Sequence, residues 1–362
     1  MRKNAFLLLL FWATSMTTTW ACTGISFKAK DNSYVVARTI EWGGSDLNSM
    51  YVVIPRGHQE VALTPTGQNG LKFQNRYGVV GLAVAQKEFI ADGMNEAGLA
   101  AGLFYFPGYG SYCEYDSTQN SKTISDLQVV PWMLANFATV DEVIKALDDI
   151  RVISINPDGG KASTVHWRIA DASGRQVVLE ITEGGKAHFF ENKVGVLTNS
   201  PGFEWQVTNL NNYVNLYPGN APVKQMGGVT LASFGAGTGF RGIPGDVTPP
   251  SRFVRAFFYQ TTAPQAATAY DAAMSAFHIL NNFDIPIGVE HADQKEMPDL
   301  LTATQWTIAT DITGRKIYYR TAFNSLIRCI DLTTIKFDKV KYQYAPLDPE
   351  KKETIEMIQI KK

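Results

Sequence analysis

The sequence is poor in the residue types that build metal sites and nucleic-acid surfaces. It contains three cysteines and five histidines, and none lies in a C-x-x-C, H-E-x-x-H or other metal-ligand spacing. The formal net charge is −1, so the chain has no basic excess with which to bind nucleic acid. We therefore expect no metal and no nucleic-acid partner.

Long apolar runs and linkers are also missing. After residue 21 no apolar run approaches the roughly 18 residues that a membrane helix requires, and no Pro/Ser-rich linker, charge run or low-complexity stretch divides the chain. Hydrophobic residues make up 45% of the chain and aromatic residues 12%, which is enough to bury a substantial core. We predict one soluble domain over residues 22–362 with no membrane span.

What the chain does have is a removable leader that ends before a cysteine. Arg2 and Lys3 form a positive segment, residues 5–13 are apolar, and residues 19–21 end on a small residue in the pattern that signal peptidase recognises. The sequence predicts a signal peptide over 1–21 and an exported protein, periplasmic or secreted, whose mature chain begins with Cys22.

An N-terminal cysteine carries a nucleophile and a base on one residue. Its thiol attacks as the thiolate, and its free α-amine, with a reference pKa of about 7.7–8.0, can take the thiol proton. Two alternatives are an incidental cysteine and a lipidated one, but lipidation sites usually have a leucine-like residue where this chain has Thr19. Lipidation would consume both reactive groups, so it excludes the catalytic role.

A β-hairpin is predicted at the mature N-terminus. β-Branched and aromatic residues are frequent over 22–27 and 34–42, and residues 30–33 have turn chemistry. A turn centred between Asp31 and Asn32 places Glu41 directly across from Cys22, within cross-strand reach. Strict alternation then sends Arg38 to the other face, unless a bulge intervenes.

The remaining pattern indicates α+β layers with largely antiparallel sheets. Thr139 and Glu142 form a capping box before an amphipathic helix. Strands are predicted at 164–170, 175–182, 186–191, 193–198, 305–310 and 315–321, and helices within 125–150 and at 267–281. Cys113 and Cys329 could form a disulfide in an oxidising compartment or remain buried thiols, and the spacing leaves both possibilities open.

Five short motifs follow one another along the chain. They are Cys22-Thr-Gly24, Ala37-Arg-Thr39, Asp92-Gly-Met-Asn-Glu96, Leu197-Thr-Asn-Ser-Pro201, and Gly242-Ile-Pro-Gly-Asp246 leading into Ser251-Arg-Phe-Val-Arg255. In order and spacing, from Cys22 to about Tyr344, they resemble the choloylglycine hydrolases. This family holds bile salt hydrolases and penicillin V acylases, which are N-terminal-nucleophile enzymes with a four-layer αββα sandwich.

The resemblance implies a catalytic set and no cofactor. Cys22 would attack an amide carbonyl, with Arg38 beside the thiolate, Asn199 in the oxyanion hole and Arg252 supporting the site. Glu41 stands where the family usually has aspartate, near the α-amine. The corresponding structural interpretations are a surface charge for Arg38, a turn residue for Asn199 and a buried ion pair for Arg252.

The chain departs from the family at an aromatic stretch. Where bile salt hydrolases commonly have A-G-L-N, this chain has Phe104-Tyr105 with one apparent extra residue, which leaves the second oxyanion donor open. Aromatic density usually means core, but beside a Pro-Gly turn Phe104, Tyr105 and Phe106 are candidates to line a pocket for a bulky apolar acyl group.

The sequence thus predicts an amidohydrolase for a small-molecule amide with such an acyl group. Conjugated bile salts are favoured because residues 234–246 look like the bile salt hydrolase form. Penicillin V or acyl-homoserine lactones are the alternatives within the family, and residues 209–218 resemble a tetramer-forming extension. From other classes, an inactive binding protein and a Cys-His protease using His58, His166, His188, His278 or His291 remain alternatives.

Overall fold

The structure is a computed structural model that describes residues 20–155, 163–290 and 300–361. The strands are β1 (Trp20–Lys28), β2 (Tyr34–Trp42), β3 (Met50–Ile54), β4 (Gln59–Val61), β5 (Lys72–Gln74), β6 (Val79–Ala83), β7 (Ile90–Asn95), β8 (Leu99–Tyr105), β9 (Thr123–Ser125), β10 (Arg151–Ile153), β11 (Val165–Asp171), β12 (Gln176–Thr182), β13 (Lys186–Glu191), β14 (Lys224–Met226), β15 (Val229–Leu231), β16 (Thr304–Asp311), β17 (Lys316–Thr321), β18 (Asn324–Asp331) and β19 (Gln343–Pro346). The helices are α1 (Val129–Asn136), α2 (Val140–Leu147), α3 (Phe203–Asn209), α4 (Pro249–Thr262), α5 (Ala269–Leu280) and α6 (Ile287–Glu290).

Two antiparallel sheets form the centre of the molecule. Sheet A has five strands in the order β1-β2-β16-β17-β18, and sheet B has eight in the order β13-β12-β11-β8-β7-β6-β3-β19. Helices α4 and α5 pack on sheet A, α1 and α2 pack on sheet B, and β1 contacts β8 across the space between the sheets. This is the four-layer αββα arrangement that the resemblance implies.

The N-terminal hairpin forms as predicted but closes differently. Lys28 pairs with Tyr34, so the loop has five residues, 29–33, and is centred on Asp31. Asn32 takes a positive φ of 65°, which asparagine tolerates better than most residues. Cys22 therefore pairs with Ile40 and not with Glu41, and every cross-strand partner differs from the prediction by one residue.

Most of the other predicted elements are confirmed. Strands β11, β12, β13, β16 and β17 and helix α5 lie where the sequence places them, and the Thr139 hydroxyl accepts a hydrogen bond from the Glu142 main-chain nitrogen at the start of α2. The strand predicted over 193–198 is wrong: only Leu197 makes a bridge, to Gly24. Within the described ranges, no helix has the length and apolarity needed to cross a membrane.

Candidate active site

The hairpin register brings Cys22 and Arg38 to one face of sheet A. Cys22 pairs with Ile40, and Arg38 precedes Ile40 by two residues in β2, on the same face because side chains alternate along a strand. Arg38 Nη2 donates to Cys22 Sγ at 2.6 Å. No bulge is required, so the expectation that alternation separates Arg38 from Cys22 is wrong.

The same register corrects the position of Glu41. Glu41 pairs with Ala21 and not with Cys22, and its side chain leaves the opposite face of the sheet. There it is buried and accepts a hydrogen bond from the Thr304 hydroxyl at 3.4 Å. Its negative charge still raises the pKa of the Cys22 thiol, so Glu41 belongs to the surroundings of the site.

A short β-bridge at the edge of β1 that faces away from β2 brings Asn199 next to Cys22. The main chains of Gly24 and Leu197 exchange two hydrogen bonds, at 2.6 and 3.1 Å, which sets residue 199 beside residue 22. The Cys22 main-chain nitrogen donates to Asn199 Oδ1 at 2.9 Å, and Asn199 Nδ2 donates to the Tyr105 carbonyl at 2.8 Å. Its amide is thereby fixed in one orientation.

Arg252 joins these groups from helix α4. Its guanidinium donates to the Cys22 carbonyl, to the Thr23 hydroxyl at 2.8 Å and to Asn199 Oδ1 at 2.7 Å. The Asp246 carboxylate accepts hydrogen bonds from Thr248 and Ser251 in the first turn of the helix and so fixes the segment that carries Arg252. The last of the five motifs thus folds into the support of the site.

The Cys22 thiol is buried near both positively and negatively charged side chains. Burial raises the pKa of the Cys22 thiol, whereas Arg38, Arg252 and a main-chain hydrogen bond from Tyr105 act to lower it. The net direction is upward in this structure, where Trp20 and Ala21 still precede Cys22 and its nitrogen is a peptide amide. The Tyr105 main-chain N–H therefore lies within hydrogen-bonding reach of the Cys22 sulfur.

The aromatic stretch divides into core and site. Phe104 and Phe106 are buried, Phe104 with its ring centroid 4.1 Å from the Arg38 guanidinium carbon and Phe106 stacked on His166 at 4.3 Å. Phe104 faces the space between the sheets from β8, and Phe106 lies just beyond the end of that strand; a role for either ring in lining an acyl pocket stays a prediction. Tyr105 is half-buried, and a substrate contact remains a prediction for its side chain.

Other candidate groups stay apart from the thiol. The buried His166 ring hydrogen-bonds Glu180 and the Thr198 carbonyl, and within the described residues no histidine hydrogen-bonds Cys22; His291 lies outside them. Cys113 and Cys329 are free thiols. The described part of the chain holds no group of three or more metal-ligating side chains.

Comparisons with known proteins agree with this geometry. The family of linear amide C–N hydrolases described as the choloylglycine hydrolase family matches residues 22–343. A bile salt hydrolase/transferase of Clostridium perfringens is 33% identical over 320 residues, covering 88% of this chain and 94% of that protein.

Solved structures extend the agreement to the fold. A cysteine-to-alanine variant of the conjugated bile acid hydrolase from Clostridium perfringens superposes with a TM-score of 0.79 at 30% identity, covering 93% of this chain and 100% of that one. Penicillin V acylase from Agrobacterium tumefaciens gives 0.69 at 26% identity, covering 89% and 90%. This chain belongs to the choloylglycine hydrolase family and is a linear amide C–N hydrolase with the N-terminal-nucleophile fold.

Proposed function

We propose that the protein is an exported amidase that hydrolyses conjugated bile salts through Cys22 as an N-terminal nucleophile. The observation that carries the proposal is the contact of the Cys22 thiol with Arg38 at the residue where the family match begins. Bile salts are favoured because several relatives at about 30% identity bear the name bile salt hydrolase/transferase. The intact site favours an enzyme over an inactive binding protein.

The residues suit a two-step acyl transfer. The Cys22 α-amine takes the thiol proton and becomes an ammonium. The thiolate attacks the amide carbonyl carbon, a C–S bond forms, and negative charge moves to the carbonyl oxygen. The second N–H of the Asn199 amide and the Tyr105 main-chain N–H are the donors we assign to that oxyanion. The C–N bond then breaks, and the nitrogen takes a proton from the α-ammonium of Cys22 and leaves as an amine.

Water completes the cycle. The α-amine, now neutral, takes a proton from water as the oxygen attacks the thioester carbonyl. Collapse of the second tetrahedral intermediate breaks the C–S bond, releases the acid and restores the thiol. Asn199 Oδ1, which accepts from the Cys22 nitrogen here, would hold the α-amine in the cleaved chain.

The proposal requires that the signal peptide is removed before the domain folds. Residues 1–19 lie outside the described residues, but Ala21 and Cys22 are buried and paired within β1. A peptidase cannot reach a bond in that position, so cleavage during export is the step that frees the amine. Export to the periplasm or outside the cell is part of this proposal.

A homotetramer is also part of the proposal. The β14–β15 hairpin is exposed along its length, and the neighbouring Val214 and Phe234 side chains are 87% and 99% exposed. Apolar side chains at such exposure suit contacts between subunits. Analytical ultracentrifugation of the mature protein tests this, and a monomer would contradict it.

The function is tested with mature protein and a substrate panel. Release of glycine or taurine from conjugated bile salts is compared with hydrolysis of penicillin V and an acyl-homoserine lactone, and intact mass establishes the N-terminus. We expect the highest kcat/KM for bile salts. Protein that retains Ala21 should show no activity, because its Cys22 nitrogen is an amide. Activity with Ala21 attached would refute the amine's role, and preference for penicillin V would reassign the substrate.

A further inference from the structure

A buried ion pair between Asp92 and Arg168 of sheet B lies next to Arg38. In the register of the sheet, Gly102 of β8 pairs with Asp92 of β7 on one side and with Arg168 of β11 on the other. The three residues form one row on one face, and the strands of Asp92 and Arg168 are about 10 Å apart. Their side chains meet above the glycine, with Arg168 Nη2 donating to Asp92 Oδ2 at 3.1 Å.

Two glycines make room for this pair. A Cβ on Gly102 would lie 2.1 Å from Asp92 Oδ2, so any larger residue there would displace the carboxylate. Gly24, which pairs with Arg38 in sheet A, would carry a Cβ 2.9 Å from the Phe104 ring and 3.3 Å from Arg168 Nη1. The space between the sheets is thus shaped around these charges.

Arg38 connects this ion pair to Cys22. Arg38 Nη1 lies 4.0 Å from Asp92 Oδ2, while Nη2 of the same guanidinium donates to Cys22 Sγ at 2.6 Å. Asp92 Oδ1 is buried without a hydrogen-bond partner in the part of the chain described, so the carboxylate has capacity for another donor. Arg168 also donates to the Ala37 carbonyl at 3.0 Å, next to Arg38 along β2.

We propose that Asp92 and Arg168 are positioning residues that set how strongly Arg38 stabilises the Cys22 thiolate. Asp92 competes with the thiolate for the Arg38 guanidinium, and Arg168 limits that competition by occupying Asp92. The inference rests on the proposed role of Cys22 as nucleophile. Neither residue touches the thiol, so both act through Arg38.

The electrostatic surroundings make the effect large enough to measure. Asp92 and Arg38 are fully buried and Arg168 nearly so, and charges interact more strongly there than in water. Burial raises the pKa of the Asp92 carboxyl, and Arg168 and Arg38 oppose that rise and favour the carboxylate. Three charged side chains act on the Cys22 thiol: Arg38 and Arg252, and Glu41 from the opposite face of sheet A. Arg168 and Arg38 act on the Asp92 carboxyl, His166 of β11 packs edge-on against Phe104, and the α-amine would join them in the cleaved chain.

The test is the pH dependence of Cys22 alkylation by iodoacetamide in mature protein. Mass analysis of the peptide that begins at Cys22 keeps the signal separate from Cys113 and Cys329. Arg168→Gln should move the profile up by about one pH unit, because unopposed Asp92 draws Arg38 from the thiolate. Asp92→Asn should move it down by a similar amount, and the double variant should lie within about 0.3 units of wild type.

The control is a second Arg–Asp ion pair, in which the arginine is partly exposed. Arg328 donates to the buried Asp348 carboxylate at 3.0 Å from β18, four strands from β1 in sheet A. Arg328→Gln should lower the melting temperature without moving the alkylation profile. Shifts of opposite sign that cancel in the double variant are not expected from a structural defect.

The outcomes separate the two proposals. Three results would overturn the role of the pair. The two single variants could shift the alkylation profile in the same direction, neither could shift it, or the double variant could shift it as far as a single variant does. If one single variant fails to fold, the other is still expected to shift the alkylation profile in its stated direction. The double variant is still expected to stay near wild type. The expected shifts without bile salt hydrolysis in wild type would refute the proposed function and leave the ion-pair inference standing.

Discussion

Removing the Arg38 charge tests the centre of the site. The Arg38 guanidinium donates to Cys22 Sγ at 2.6 Å and is fully buried. Two unit charges about 4 Å apart interact by about 4 kcal/mol at an effective dielectric constant near 20 and by about 1 kcal/mol in water. Because one pKa unit equals about 1.4 kcal/mol, Arg38→Gln should raise the pKa of the thiol by about 1–3 units.

This shift has a defined sign in kinetics. Below the thiol pKa, each unit of increase lowers the thiolate fraction tenfold, so kcat/KM at pH 6 should fall by about 10- to 1000-fold and recover partly at pH 9. Arg38→Lys keeps the charge but loses the donors that bind the Thr39 and Leu103 carbonyls, and it should cost about tenfold at most, with a smaller shift of the profile. The assay is kcat/KM from pH 5 to 9 beside alkylation of Cys22. Equal profiles for wild type and Arg38→Gln would refute thiolate stabilisation by Arg38.

Two further predictions concern residues around Cys22, and a third concerns the buried Asp126 carboxyl. Asn199→Ala should lower kcat about 10²–10³-fold with a smaller effect on KM, and a change in melting temperature alone would reduce Asn199 to a structural residue. Glu41→Gln should shift Cys22 alkylation to lower pH because the Glu41 charge raises the thiol pKa, while Glu41→Asp should leave it near wild type; an upward shift for Glu41→Gln would contradict this. Burial raises the pKa of Asp126 to about 8, so the folded protein keeps a proton there that the unfolded chain releases near pH 4, and stability should fall as pH rises from about 4 to 8. Asp126→Asn should flatten that slope in melting temperatures, and an unchanged slope would mean that Asp126 is ionised in the fold.

The hairpin shows what strand patterns can and cannot predict. Composition and alternation located both strands, because β-branched and aromatic residues end where turn residues begin. The register depended on whether the loop has four or five residues; the loop has five, with Asn32 in the αL conformation. A one-residue error exchanged the faces of Arg38 and Glu41, since side chains alternate with a period of two.

Contacts between strands that are distant in the chain leave no local sequence pattern. Asp92 and Arg168 are 76 residues apart, and they meet because β7, β8 and β11 are neighbours and Gly102 lies between them. The aromatic stretch was ambiguous for a related reason. Density alone does not separate core from pocket, and only the sheet packing shows that Phe104 supports Arg38.

Cleavage of the leader should change the site in two ways at once. In this structure Ala21 is packed in a small apolar cluster with Ile285, Leu300 and Ala303, and the dominant influence on the Cys22 thiol is burial, which raises its pKa. Removing Ala21 turns the Cys22 amide into an amine that can accept a proton, and it also admits water beside the sulfur. Hydration weakens the burial effect, while Arg38 and Arg252 keep their positive charges near the thiol. Arg38 and Arg252 therefore favour the thiolate in both forms of the chain; burial outweighs them before cleavage, and we expect them to prevail after it.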